Sequence, residues 1–259
     1  MGLIDIEPEL LWGLYWGNGY EVTQIANIFG CSEGTVWRRM KEYGYPCRSV
    51  SGFTFNDRQK EIFEGCMLGD GSLQWVTNHC RFSNYDIHKE YLVWLQKQLG
   101  VAGFSHISPL YYFIGAGAPY EYRLETRVIP SISQDYKKWY PYGAGTRKDP
   151  HHKIIPKDIE LTPIKTLFWY IGDGTYLKEY GDARFTNSLV LEDAEMLKGK
   201  LDTLLNVDKG ITLNKYGKNS KGNQIYLIRL NKGVTGKFFG MVDSLDFNIP
   251  KCYQYKFGG

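Results

Sequence analysis

Two aspartates, Asp70 and Asp173, stand in the same short context. Each lies in Gly-Asp-Gly at the end of an apolar run: residues 63–73 read FEGCMLGDGSL and residues 167–177 read LFWYIGDGTYL. Asp-Gly alone is a common turn pair and marks nothing by itself. Two apolar helices that end on the same carboxylate raise a sharper question. The C-terminal end of a helix is negative, and a carboxylate there is poorly placed unless a cation offsets it. Two such acids brought together would form an oxygen-rich site for a divalent cation, which can activate water.

The two contexts belong to a longer repeat. Asp173 follows Asp70 by 103 residues, and Arg-Phe-Thr-Asn at 184–187 follows Arg-Phe-Ser-Asn at 81–84 by the same 103. A helical pattern follows each tetrapeptide, DIHKEYLVWLQKQLGV in one copy and LVLEDAEMLKGKLDTLLNV in the other. Agreement of motif and spacing marks an internal duplication, here of two related subdomains rather than a solenoid.

The rest of each copy is legible by pattern. Alternation in EYRLETRV (Tyr122, Leu124, Thr126 against Arg123, Glu125, Arg127) predicts a strand over 121–128. Residues 102–114 read as another strand, and IPSISQDYKKWY as a helix with Pro130 near its start. GITLNKY, NQIYLIRLN and a helix over 235–244 supply the same parts in the second copy. The order in each copy is α-β-β-α-β-β-α. An antiparallel sheet of this kind covers one face with helices and leaves the other exposed. The exposed faces are expected to carry Arg81, Arg123 and Arg127 in one copy and Arg184, Lys215 and Arg229 in the other.

Composition narrows the class. With 259 residues at 43% hydrophobic, the chain can bury a sizeable core. No apolar run approaches the roughly 20 residues that span a bilayer. The start, MGLIDIEPEL, is acidic and lacks a signal-peptide pattern, and Ile6 stands where a myristoylation motif needs Ser or Thr. These features predict a protein that is neither secreted nor on a membrane, placed in the cytoplasm or nucleoid of a prokaryote, or in an organelle. The five cysteines are odd in number and none form Cys-x-x-Cys, which argues against a disulfide framework or zinc site. The net charge of +3 does not by itself call for a polyanion, but its distribution is uneven. Residues 209–237 hold seven basic side chains and no acid, and residues 137–157 hold six against Asp149 alone. Such asymmetry suits a nucleic-acid face.

Residues 55–257 resemble the LAGLIDADG homing endonucleases. The nine-residue motif lies over Phe63–Gly71 and again over Thr166–Gly174, and its eighth position, the family's catalytic acid, falls on Asp70 and Asp173. The duplicated Arg-Phe-Ser/Thr-Asn and the stretch KIIPKDIELTPIKTLFWYIGDG, similar to the family's junction into a second motif, extend the match. The resemblance implies an α+β fold: two pseudo-symmetric αββαββα subdomains with saddle-shaped antiparallel sheets, over 51–150 and 151–259. It implies a monomer that hydrolyses both strands of a long, partly asymmetric DNA site across the minor groove, leaving 3′ overhangs. Asp70 and Asp173, with Gly69 and Gly172, would hold Mg²⁺; Mn²⁺ would substitute, and Ca²⁺ would support binding without cleavage. Asn84 and Asn187 occupy the family's polar position, where they would hold water. Lys153 matches a recurring basic residue of the first copy. Lys256 looks like its counterpart in the second, with Lys251 as the rival. Such a lysine would stabilise the transition state. Gln74 joins the arginines on the DNA-facing sheets.

The motif also departs from the family. Its third position is Gly65 in one copy and Phe168 in the other, which predicts looser packing on one side of the helix pair. Its sixth is Leu68 and Ile171, where many members have Asp. Alternatives on the same fold are a non-cleaving DNA-binding regulator and an intron RNA maturase with a host intron RNA as partner. Retention of both acids favours the nuclease. An endonuclease borne by an intein is disfavoured, because the ends lack the residues of a splicing element.

Residues 1–50 stand apart. EVTQIANIFGCSEGTVWRRMKEYGYPCRS resembles a small helix-turn-helix. Ile25, Ala26 and Phe29 form one apolar stripe, Gly30 makes the turn, Ser32 caps the next helix, and Val36 and Met40 continue the core. Thr35, Arg38 and Arg39, with Glu33 and Trp37, are left for the major groove or the phosphate backbone. A helical hairpin without DNA contact is the alternative.

Overall fold

The computed structural model describes residues 6–18, 20–44, 52–76, 79–110, 121–143, 153–218 and 222–259. The side chains of 16–17 and 186–188 lie outside that description, as does the basic exit expected after the front module. The chain divides into two compact units, Met1–Gly52 and Phe53–Gly259.

The first unit is helical. It comprises α1 (Pro8–Trp12), a π-helical turn over Gly13–Gly17, α2 (Val22–Ile28) and α3 (Glu33–Glu42). Gly30 supplies the left-handed residue between α2 and α3, with φ of 61°. Ser32 accepts the Thr35 N–H at 3.2 Å and so starts α3. Thr23 Oγ1 donates to Glu33 Oε1 at 2.7 Å and pins the two helices together. The core holds Ile25, Ala26, Val36 and Met40 as expected, and also Ile6, Leu11 and Tyr15. Those three carry no readable period, because α1 and the π turn are each too short to show one.

The second unit contains the repeat. The first copy runs α4 (Asp57–Leu68), β1 (Ser72–Val76), β2 (His79–Asp86), α5 (Lys89–Gln98), β3 (Ser105–Leu110), β4 (Glu121–Thr126) and α6 (Ser133–Trp139). The second runs α7 (Pro163–Asp173), β5 (Gly174–Leu177), β6 (Asp182–Leu189), α8 (Leu191–Leu204), β7 (Ile211–Lys218), β8 (Gln224–Leu230) and α9 (Lys232–Asp243). A 3₁₀ segment, Lys251–Phe257, follows. The sheets are antiparallel with strand orders β1-β2-β4-β3 and β5-β6-β8-β7, the same topology twice.

Caps define where the motif helices begin. Asn56 and Gln59 form a reciprocal capping box at α4, with bonds of 2.8 and 3.0 Å. Thr162 caps α7, with Pro163 in the first turn. Both helices then run apolar and pack on their own sheets. Phe63 meets Phe82 at 5.5 Å between centroids, and Trp169 meets Phe185 at 4.2 Å.

α4 and α7 pack against each other. A Cβ on Gly65 would come within 2.6 Å of the Lys165 carbonyl and 2.8 Å of Phe168 Cβ. The missing side chain is therefore the space that Phe168 needs. The expectation that Phe168 loosens one side of the pair is corrected by this fit. Its ring passes into the first copy, stacking on Trp94 at 5.3 Å and meeting Phe247 at 5.3 Å. Lys165 Nζ also pairs with Glu64 across the two helices at 2.6 Å.

Cross-strand register sorts the sheet faces. Gln74 pairs with Arg81, Tyr85 with Arg123, and Ser83 with Glu125, so these six share the face opposite Phe82 and Leu124. In the second sheet Thr175, Arg184, Arg229 and Thr212 pair in a row. Lys215 departs from expectation. It pairs with Tyr226, which puts it in the register of Leu213 and Ile228, on the helix side. The period of two forbids Lys215 from sharing the Arg229 face. It lies in the exposed stretch of β7 beside a register shift.

Candidate active site

Both motif acids arrive at one place. Asp173 is the last residue of α7, and Asp70 follows α4 by one turn residue. Each carboxylate lies over the other copy's glycine. A Cβ on Gly69 would sit 3.5 Å from Asp173 Oδ2, and a Cβ on Gly172 would sit 3.3 Å from Asp70 Oδ2. The glycines after the acids serve a different need. A Cβ on Gly71 would strike the Cys66 carbonyl at 2.6 Å, and one on Gly174 would strike Tyr170 at 2.2 Å. Gly-Asp-Gly is thus a chain that leaves its helix tightly while its neighbour helix stands close. That is why the motif needs glycine on both sides.

Two lysines complete the arrangement. Lys153 Nζ donates to the Gly69 carbonyl at 2.6 Å and the Gly71 carbonyl at 2.8 Å. Lys256 Nζ donates to the Ile171 carbonyl at 2.6 Å and the Gly172 carbonyl at 3.0 Å. Lys256 follows Lys153 by 103 residues, the interval already seen for the acids. Lys256 is therefore the counterpart, while Lys251 is exposed. Each ammonium satisfies helix carbonyls that lack an intrahelical partner and offsets the negative helix end. The cation that the buried acids require is supplied first by the chain itself.

Burial dominates the electrostatics. It pushes the Asp173 carboxyl up to about 7, with Asp70 adding to the rise and Lys153 and Lys256 opposing it. Burial raises Asp70 as well, against both lysines. Burial lowers Lys153 to about 8, while Asp173 and Asp70 pull it upward. Lys256 is lowered in the same way. Two like charges and two opposite charges in little water form one coupled set.

The first copy adds groups that sequence reasoning missed. A cleft of about 340 Å³ is lined by Asp70, Tyr85, Asp86, Ile87, Glu121 and Tyr253. Asp86 is the end of β2, two residues beyond Asn84, and Tyr253 comes from the C-terminal 3₁₀ segment. Asn84 itself is only 2% exposed, and its Oδ1 has no hydrogen-bond partner among the described residues. It does not line the cleft; Asp86 does. The Asn187 side chain falls outside the described residues. Nothing in the repeat flagged Asp86, because position 189 holds Leu in the second copy.

The sheet-face arginines are held by acids. Arg81 gives Nη1 to Glu125 at 2.8 Å and Nε to Gln74 Oε1 at 2.8 Å. Arg123 Nη1 reaches the other oxygen of Glu125 at 3.1 Å. Arg229 Nε bonds Asp182 at 2.7 Å. Arg184, which matches Arg81 in the repeat, has a buried Nε with no partner among the described residues. Arg127 follows β4, and its N–H donates to the Phe104 carbonyl at 2.7 Å. In the helical unit Arg38 is exposed, Arg39 pairs with Glu42 at 2.7 Å, and Thr35 shares the cap with Ser32.

Comparison with known proteins follows this geometry. The family model described as the LAGLIDADG DNA endonuclease family matches residues 60–238. The uncharacterized protein MJ1098 of Methanocaldococcus jannaschii is 25% identical over 254 residues, covering 93% of this chain and 92% of the relative. A solved structure, the homing endonuclease I-WcaI bound to its DNA recognition sequence, aligns with a TM-score of 0.64 at 15% identity. That alignment covers 86% of this chain and 92% of the other and shows a shared fold.

Proposed function

The chain belongs to the LAGLIDADG DNA endonuclease family, and from that premise we propose that it is a site-specific endonuclease acting as a monomer on double-stranded DNA. It hydrolyses one phosphodiester in each strand across the minor groove and leaves 3′ overhangs. The observation that carries this reading is the doubled pair Asp70–Lys153 and Asp173–Lys256 at the ends of two packed helices.

Members of the family generally use a divalent metal, and the residues here suit one. The oxygens of Asp70 and Asp173 and the carbonyls of Gly69 and Gly172 form a hard donor set. Each of those carbonyls keeps a lone pair beyond its lysine bond. Among the described residues no three His, Cys, Asp or Glu side chains cluster as a protein-only cage. So sparse a set fits Mg²⁺, which keeps waters and shares phosphate oxygens; Mn²⁺ would substitute and Ca²⁺ would permit binding alone. When bound, such an ion would lower the pKa of water and neutralise charge on the phosphate.

The chain's own groups do the rest. Lys153 and Lys256 each commit two ammonium hydrogens to helix carbonyls, which leaves the third for a phosphate oxygen. Fixed in that way, the lysines need no reorganisation as charge develops. Close packing at Gly65, Gly69 and Gly172 keeps the two acids together, so one protein reaches both strands. The polar sheet faces, with Gln74, Arg81, Arg123, Arg184 and Arg229, are suited to a major groove. The α2–turn–α3 unit would extend contact as a helix-turn-helix, through Thr35, Arg38 and Arg39.

A non-cleaving regulator or a maturase would have no need of the acids and their lysines, and their retention argues against both. The test is selection of cleaved sites from a randomised duplex library with Mg²⁺. The expected result is one long site family cut on both strands. DNA that is bound but never cut would defeat the nuclease reading.

A further inference from the structure

The C-terminal 3₁₀ segment joins the two copies of the repeat. Its Lys256 serves the second copy, through the carbonyls of Ile171 and Gly172. Tyr170 of α7 returns a hydroxyl bond to the Lys256 carbonyl at 2.9 Å. Three residues earlier in the same segment, Tyr253 serves the first copy. Its hydroxyl donates to Asp86 Oδ2 at the end of β2. Its ring packs edge-on against Tyr91 at 4.9 Å and His88 at 5.6 Å. Cys252 N–H donates to Glu90 Oε1 at 3.3 Å. The other Asp86 oxygen is fixed by the His88 N–H at 2.6 Å.

Tyr253 also touches the lysine directly. Lys256 Nζ lies 4.9 Å from the Tyr253 ring centroid, within cation–π range. A chain of contacts therefore runs from Asp86 to Tyr253, to Lys256, to the carbonyls beside Asp173. The repeat cannot build its mirror image. Position 189, equivalent to Asp86, is Leu, and position 150, equivalent to Tyr253, is Pro. Neither side chain can make that hydrogen bond.

Resting on the nuclease reading, we propose that Asp86 and Tyr253 are positioning residues for Lys256. The centre built on Asp173 and Lys256 thus depends on a side chain of the opposite copy. The centre built on Asp70 and Lys153 has no such dependence, so the two DNA strands are cut by machinery of unequal tolerance. The device is local to one lysine, which separates it from a general role in stability.

The test measures nicking of each strand separately, on a duplex labelled on both strands, by wild type, Y253F, D86N, K256M and K153M. Y253F keeps the ring and removes only the hydroxyl. Loss of a hydrogen bond to a charged group should slow one strand about tenfold or more. That strand should be the one slowed by K256M, with the other strand near wild type. D86N should add little to K256M, yet combine additively with K153M. Equal slowing of both strands by Y253F and D86N would reduce the pair to a structural tie and overturn the inference. So would full activity of both variants, or coupling of D86N to K153M instead. A wild-type chain that nicks neither strand would overturn the nuclease reading and the inference together.

Discussion

Gly65 of α4 and Phe168 of α7 fit as small against large, with a Cβ on Gly65 only 2.8 Å from Phe168 Cβ and 2.6 Å from the Lys165 carbonyl. The backbone carbonyl cannot turn aside as a flexible side chain would. Gly65→Ala should therefore force α4 and α7 apart, at a cost of about 1–3 kcal/mol, and slow cleavage of both strands together. Gly199→Ala is the control, since a Cβ there meets nothing within 4 Å in α8. It should be stabilising by about 0.5–1 kcal/mol. Thermal unfolding of the two variants, beside cleavage rates, checks the contrast.

Buried acids give the metal-free protein a signed dependence on pH. Asp173 titrates near 7 in the folded chain, from an ordinary value of 3.8. The folded state then holds the proton more tightly than the unfolded one. Stability should be highest below about pH 4 and fall as pH rises toward 7. Asp173→Asn removes this titration, so its melting temperature should change less over that window. Melts in chelator from pH 4 to 7.5 measure the slope. A wild-type curve that rises over the same window would contradict the burial of the acid.

Glu125 grips Arg81 and Arg123 at once, so specificity in one half-site should depend on it. Arg81→Ala should relax preference at the positions that Arg81 reads. A bidentate guanine contact is worth about 1–3 kcal/mol. Glu125→Gln should relax the same positions by freeing both arginines. Arg184→Ala should act on the other half-site only. Profiling of cleaved libraries distinguishes this from a uniform loss across sequences with a shallower salt slope, the mark of phosphate contacts.

How far the sequence carries is clear from these residues. The repeat interval of 103 placed Asp70, Asp173 and the strand arginines, because duplication leaves a signal in register. Topology followed, since each element has a readable period. Lys256 followed the same interval, although a solvated lysine looks no different in sequence. The sites outside the repeat were illegible. Asp86 and Tyr253 meet across 167 residues, and no local pattern announces such a pair. Lys215 was misassigned to a face because one register shift changes which side a residue takes. Phe168 looked like a misfit only while its partner was unknown.

The helical unit has its own core, centred on Leu11, Ile25, Val36 and Met40, and clusters apart from Phe53–Gly259. Deleting residues 1–52 should leave a folded protein that still cuts. Its DNA footprint should shorten at one end and its affinity should fall. An unchanged footprint would mean that Thr35, Arg38 and Arg39 do not meet DNA.

Cleavage of each strand by the acid variants tests the two-centre site most directly. On a duplex site labelled on both strands, with Mg²⁺, the wild-type chain should cut both. Asp70→Asn and Asp173→Asn should each abolish double-strand cleavage, while both variants still bind the same duplex in Ca²⁺ with near wild-type affinity. Full double-strand cutting by either variant would contradict the site.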